Sequence, residues 1–329
     1  MSIEIKTNTA EPIRQTFSHT RRRFGDKPAT RYQEASYDIE AKINFHYRPQ
    51  WQPDKALNDP TRTCLQMRDW YAVSDPRQYY YGTYVQARAR MQETAEHDYA
   101  FCEKRDLLTR LPEAQRQRLV ELLVPLRHAE LAANMSNSGI SADCWATTIT
   151  QAHIYHAMDR LGIAQYLSRI GLMLDGSTGT ALDAAKRQWL DAAEWQPLRR
   201  LVEDSLVVKD WFELSLLQNL VLDGLLYPLL YQKFDETLSA EGAGDVGMLT
   251  EFMRTWFAES SRWVDAMVKT VAAESPENRA QIEAWIEHWR GRVVEALAPL
   301  AEKGPGQDAL TAVQQEFATR LAKLGLFNQ

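Results

Sequence analysis

The stretch Leu206 to Leu230 is apolar around most of its helical circumference, and it constrains the fold more than any other feature of the chain. A helix with no polar face has to be covered on every side. Its richest part, Leu214 to Tyr231, is interrupted by Gln218, Asn219, Asp223 and Pro228. A membrane span needs about 20 mostly apolar residues, so this run predicts the core helix of a soluble protein and no membrane partner. A buried central helix in turn requires a ring of long helices, which points to a large bundle.

The sequence supplies that ring. Asp75-Pro76 offers an N-cap followed by proline at the first helical position, and predicts a helix running through Tyr79, Tyr84 and Met91 toward Phe101. Pro112-Glu113 opens the next, reaching about Met135 and ended by Asn137-Ser138-Gly139. Ser141 restarts a helix that carries His153, His156 and Leu161. Others are predicted at about 180–192, 198–234, 246–273, 276–302 and 310–326. No run alternates with period two, so strands should be nearly absent. The expected class is all-α.

Residues 1–75 differ from the rest. Prolines recur at 12, 28, 49, 53 and 60, and no helical period persists, yet Phe24, Tyr32, Tyr37, Phe45, Tyr47, Trp51, Trp70 and Tyr71 are far more aromatic than a disordered tail. This is an extended arm that needs a surface: its own domain, or a partner chain. We divide the chain into an arm (1–75), expected to contact a partner subunit, and a helical domain (76–329), expected to form its own core.

Net charge is −6, which gives no general case for nucleic-acid binding. Arg21-Arg22-Arg23 is a local feature better suited to a salt-bridge contact with a partner chain. Cys64, Cys102 and Cys144 are too far apart for a zinc spacing and odd in number; with a polar N-terminus this predicts a cytoplasmic location. No glycine-rich nucleotide loop or nucleophile elbow is present.

The next question is a metal. Bundle di-iron proteins take ligands from facing helices, including Glu-x-x-His pairs that leave one helix face. The residues three before the seven histidines are Thr16, Ile43, Thr94, Pro125, Thr150, His153 and Trp285, and none is acidic. Pro125-Leu-Arg127-His128 keeps the second half of such a motif. Glu259-Ser260-Ser-Arg262-Trp263 resembles an Asp-Glu-x-Arg-His ligand motif with Ser260 in place of the glutamate and Trp263 in place of the histidine. Pro125, His128, Ser260 and Trp263 are therefore read as degenerate ligand positions. His153, His156 and Asp159 offer a weaker set, simplest as hydrogen-bonded core residues, and His128 is expected to pair with a carboxylate. Asp204, Asp210, Glu213 and Asp223 are expected to pair with Arg199, Arg200 or Lys209. The tryptophans, Trp211, Trp256, Trp263, Trp285 and Trp289, suit a core better than a cofactor.

Across nearly its whole length the sequence resembles the β subunit of bacterial multicomponent monooxygenase hydroxylases, phenol hydroxylase type. The resemblance is carried by Arg22-Arg-Phe-Gly-Asp-Lys-Pro-Ala29, Tyr32-Gln-Glu-Ala-Ser-Tyr-Asp-Ile39, Asp75-Pro-Arg-Gln-Tyr-Tyr-Tyr-Gly82, Pro125-Leu-Arg-His-Ala-Glu-Leu131 and Arg262-Trp-Val-Asp-Ala-Met267, among others. It implies a ferritin-like bundle within an (αβγ)2 hydroxylase that uses O2 and NADH or NADPH to oxidise phenol-type aromatics. It implies a di-iron centre in the α subunit and no cofactor in this chain, with an effector protein and a flavin and iron–sulfur reductase as further partners. In such an alignment Glu96 and Glu213 stand for the two remaining carboxylate ligands. The expected role is a non-catalytic structural subunit pairing with α; the alternative is a regulatory docking subunit for reductase or effector.

Overall fold

The computed structural model describes residues 17–40, 48–50 and 52–327. Every regular element among them is helical. Two short helices, α1 (Ser18–Phe24) and α2 (Arg31–Ser36), precede α3 (Tyr81–Lys104), α4 (Glu113–Arg118), α5 (Leu126–Asp143), α6 (Thr147–Leu174), α7 (Thr180–Asp191) and α8 (Gln196–Ser205). The apolar stretch forms α9 (Trp211–Ala240). Then come α10 (Asp245–Glu274), α11 (Pro276–Lys303) and α12 (Gln307–Lys323).

Helix α9 is the buried axis. Its length and composition would allow a membrane span, but 94% of its most apolar window lies inside the protein. Helices α5 and α6 pack closely as a pair, and α9, α10 and α11 pack on one another. The helix is not uniform: its turns widen to π geometry over Leu216–Leu222 and Pro228–Lys233. Pro228 has no N–H to donate, which accounts for the second widening.

Several boundaries differ from those the sequence predicts, each for a local reason. The Asp75 carboxylate is buried and spent on the backbone and guanidinium of Arg77 (2.9–3.2 Å), so α3 starts later, where Thr83 caps Tyr80. The 198–234 helix is broken by a loop, because Asp210 turns its side chain to cap Phe212 and Glu213 and start α9. Helix α5 runs through Asn137, whose amide is held by Ala133 and by Asn219. Before it, a π turn at Leu119–Leu123 leads to Pro125, which begins α5.

The arm is laced to its own subunit over the described residues. Tyr32, Tyr37, Leu65, Trp70 and Tyr71 are buried in the same core as α9. Trp70 packs on Trp211 with ring centroids 5.4 Å apart. Asn278 and Gln66 exchange two hydrogen bonds of 2.8 and 3.1 Å. Leu65, Trp70 and Tyr71 thus add to the core that the helices build. Phe45, Tyr47 and Trp51 lie outside the described residues. Arg23 is committed to Asp38 and Asp69 and Arg21 to Asp26, so the basic run is largely ion-paired.

Candidate functional site: the polar layers inside the bundle

Two polar layers cross the bundle interior where α5, α6, α9 and α10 face one another. The first is neutral. Asn137 on α5 and Asn219 on α9 bond each other in both directions at 3.0 and 3.1 Å. His153 on α6 is fully buried; its Nδ1 lies 3.0 Å from the Ile149 carbonyl and its Nε2 2.9 Å from Ser215 Oγ. A carbonyl only accepts, so Nδ1 carries the proton and Nε2 accepts from the serine. Burial holds His153 neutral, its pKa lowered to about 3. Trp263 of α10 lies edge-on to His153 at 4.8 Å and tilted against His156 at 5.8 Å.

The second layer, toward the next turn of α6, is charged. Arg160 is buried with Glu130 of α5 and Asp223 of α9. Its Nη1 donates to Glu130 (2.9 Å) and to the Tyr227 hydroxyl (2.7 Å), and its Nη2 donates to Asp223. Tyr227 and Tyr231 both donate to the other Glu130 oxygen, at 2.8 and 3.2 Å. Gln218 donates to Asp223. The Trp256 ring lies 4.4 Å from the guanidinium. Burial pushes the Asp223 carboxyl up to about 6 against the pull of Arg160.

A third set of charges closes the α3 side. Asp159 receives Arg88 through two bonds of 2.7 and 2.9 Å, the Trp256 indole N–H at 2.8 Å and the Tyr84 hydroxyl at 2.9 Å. Glu259 takes Arg88 and Arg77, which keep its pKa below the ordinary value although burial opposes them.

The structure brings together only part of what the sequence singled out. Ser260 and Trp263 are buried in α10 as expected for inward positions. The pair that meets Trp263 is His153 and His156 of α6. Pro125 and His128 stand apart: His128 stacks on Trp189 of α7 at 5.8 Å. Its Nε2 is buried without a hydrogen-bond partner, and no ion pair joins it to the carboxylate expected for it among the described residues. Desolvation, helped by Arg127, lowers its pKa to about 4. Glu96 pairs with Arg169 near the surface, and Glu213 accepts from the Trp289 indole; neither joins the two inner layers. Asp204 and Asp223 pair with Arg292 and Arg160, and Asp210 caps α9, so none meets Arg199, Arg200 or Lys209. Sequence reading missed the Arg160 layer. Its signal was present: Glu130, Asp159, Arg160 and Asp223 are charges within otherwise apolar helix faces.

This donor set does not fit a di-iron group. The one lone pair of His153 is taken by Ser215. Glu130, Asp159, Asp223 and Glu259 are each already held by a guanidinium. Among the described residues, no group of three or more His, Cys, Asp or Glu could hold a metal.

Comparison with known proteins agrees with the helical architecture. The family model for methane/phenol/alkene hydroxylase matches residues 51–275. The chain is 65% identical to phenol 2-monooxygenase, oxygenase component DmpL, of Pseudomonas sp. strain CF600, covering 99% of this chain and 98% of the relative. It is 51% identical, with the same coverage, to phenol 2-monooxygenase, oxygenase component MhpL, of Acinetobacter pittii strain PHEA-2. A chain of the xenon-pressurized phenol hydroxylase crystal structure from Pseudomonas sp. OX1 superposes with a TM-score of 0.93 at 61% identity, covering 99% of both chains. On this evidence the chain belongs to the methane/phenol/alkene hydroxylase family, as a β subunit of a multicomponent monooxygenase hydroxylase.

Proposed function

We propose that this chain is the metal-free structural subunit of a phenol-type di-iron monooxygenase hydroxylase. It pairs with a homologous subunit that holds the iron and supports the assembled (αβγ)2 hydroxylase, which works with an effector and a reductase. The observation that carries the reading is the content of the bundle interior. Inward positions hold Trp263, Ser260, Asn137, Asn219 and Arg160 in place of carboxylate–histidine pairs, and a guanidinium spans Glu130 and Asp223.

A surface feature supports the pairing. Leu131 and Met135 of α5, Ile154, Met158 and Leu161 of α6, and Tyr81 and Val85 of α3 are large apolar side chains left exposed. The Asn134 amide donates to the Ala157 carbonyl at 2.7 Å, which sets the α5 and α6 members side by side. Tyr84 stacks on Tyr155 at 4.3 Å, which brings α3 alongside. Exposed apolar side chains on neighbouring helices suit a subunit contact.

The test is to purify the assembled hydroxylase, separate its chains under conditions that retain iron, and measure iron in each. The reading expects iron with the other large subunit only. Stoichiometric iron on this chain would overturn it. Cross-linking that joins this chain to reductase or effector, and not to the iron-bearing subunit, would favour the regulatory docking role instead.

A further inference from the structure

We infer that the Arg160 guanidinium is the built-in counter-cation of this bundle, joining the Glu130 and Asp223 carboxylates of two facing helices as a metal ion joins ligands in related bundles. The inference goes beyond the proposed subunit role and does not depend on which partner the chain meets.

The argument begins with desolvation. Glu130 and Asp223 are only 2–3% exposed, and two buried carboxylates without a compensating cation repel each other and lose their hydration. A bundle can meet that demand with bound metal, as carboxylate-bridged bundles do, or with a side chain. Arginine is the suitable side chain: it stays charged and presents donors in a planar fork. Here one Nη reaches Glu130 and Tyr227 while the other reaches Asp223.

The remaining lone pairs are met by neutral donors. Tyr227 and Tyr231 close on Glu130, and Gln218 closes on Asp223. The guanidinium face rests on Trp256, so the same group links α5, α6, α9 and α10. Its Nε has no hydrogen-bond partner, so its satisfied donors are all directed at this one cluster. Four helical stretches are thereby fixed in register by a cation that the chain itself encodes.

The inference separates from ordinary packing through charge. If Arg160 serves as counter-cation, most of the harm of removing it comes from two uncompensated carboxylates, and neutralising those carboxylates should reverse it. If Arg160 merely fills space, neutralising them removes further contacts and adds harm.

The experiment uses the assembled hydroxylase carrying Arg160→Met, the double variant Glu130→Gln/Asp223→Asn, or the triple combination. Amide hydrogen exchange is read in peptides from α5, α6 and α9 of this chain. Arg160→Met should speed exchange there at least about tenfold, the factor for about 1.4 kcal/mol, and the triple variant should recover at least half of that change on a logarithmic scale. Should Arg160→Met fail to assemble, assembly by the triple variant alone supports the inference. Exchange unchanged in Arg160→Met, a triple variant no better than the single, or failure of both to assemble overturns it.

Discussion

The indole of Trp263 stands edge-on to the imidazole of His153, with ring centroids 4.8 Å apart and planes at 84°. The imidazole is neutral and gives its only lone pair to Ser215, so the indole meets a ring that has no further coordinating capacity. Trp263 is fully buried, and its loss leaves a large void. Trp263→Ala should destabilise the chain by about 3–5 kcal/mol, measured by denaturant unfolding, and leave the iron content of the hydroxylase unchanged in complexes that still assemble.

Acid should weaken the fold through its histidines. The folded pKa values of His128 and His153 are lowered to about 4 and about 3, and that of His156 well below 6.5, mainly by desolvation. The unfolded chain therefore binds more protons than the folded one as pH falls below about 6.5. The stability these groups contribute is complete above that pH and is lost as pH falls through the folded values. Asp223 acts oppositely, since its raised value lets the folded chain bind the extra proton between about 4 and 6. Asp143 and Asp235 are raised likewise, but Asp59, Glu194, Glu259 and Glu274 are lowered and side with the three histidines, so acidification gives a net loss. Unfolding midpoints at pH 7.5 and 5.0 should show it, and His128→Gln should flatten the slope.

Two glycines should respond in opposite ways to alanine. A methyl on Gly224 of α9 would sit 2.8 Å from the Phe317 ring of α12, so Gly224→Ala should cost about 1–3 kcal/mol through overpacking. Gly291 of α11 has nothing within 4 Å of the added carbon, and Gly291→Ala should stabilise by about 0.5–1 kcal/mol through helix propensity. Thermal midpoints of the two variants should move in opposite directions.

The exposed row on α5 and α6 yields an assembly prediction. Met158→Asp places a charge among Ile154, Leu161 and Met135 and removes no core contact. Helical content by circular dichroism should be retained, while co-purification with the other hydroxylase subunits falls at least about tenfold. Full assembly of this variant would remove the row from the contact.

How far the sequence could be read follows a physical division. The buried axis was legible because its apolar residues cover every helical face, as the burial of Leu217, Leu220 and Leu225 bears out. Trp263 was legible as a core residue through its helical spacing, and Ser260 only through the ligand motif that its neighbours resemble. Helix limits were less so, because Asp75 and Asp210 turn their carboxylates to partners that local sequence does not reveal. The placing of His128 failed for a related reason. A three-residue spacing fixes which residues share a helix face, but it does not say which helix that face meets, and here it meets Trp189. The Arg160 layer joins residues up to 101 positions apart, such as Glu130 and Tyr231, a relation that no local pattern encodes.

The arm gives the last prediction, and it revises the one drawn from composition. The division of the chain at residue 75 implies that residues 76–329 form their own core. Tyr32, Leu65, Trp70 and Tyr71 are nonetheless buried within that core. Tyr37 stacks on Tyr71 at 5.3 Å, and the Arg23 guanidinium lies 4.6 Å from the Tyr71 ring. Thr148 donates to the Val73 carbonyl, and the Asp75 N–H donates to the Tyr32 hydroxyl, both at 2.8 Å. Removing residues 1–75 strips apolar cover from Trp211 and Phe212 at the start of the buried axis. At about 25 cal/mol per Å² of apolar surface re-exposed, the loss of several aromatic side chains exceeds the net stability of an ordinary domain. The truncated chain should therefore aggregate or lose its cooperative thermal transition. A cooperative transition at the full-length midpoint in the chain truncated at residue 75 would show that these contacts add little to the fold.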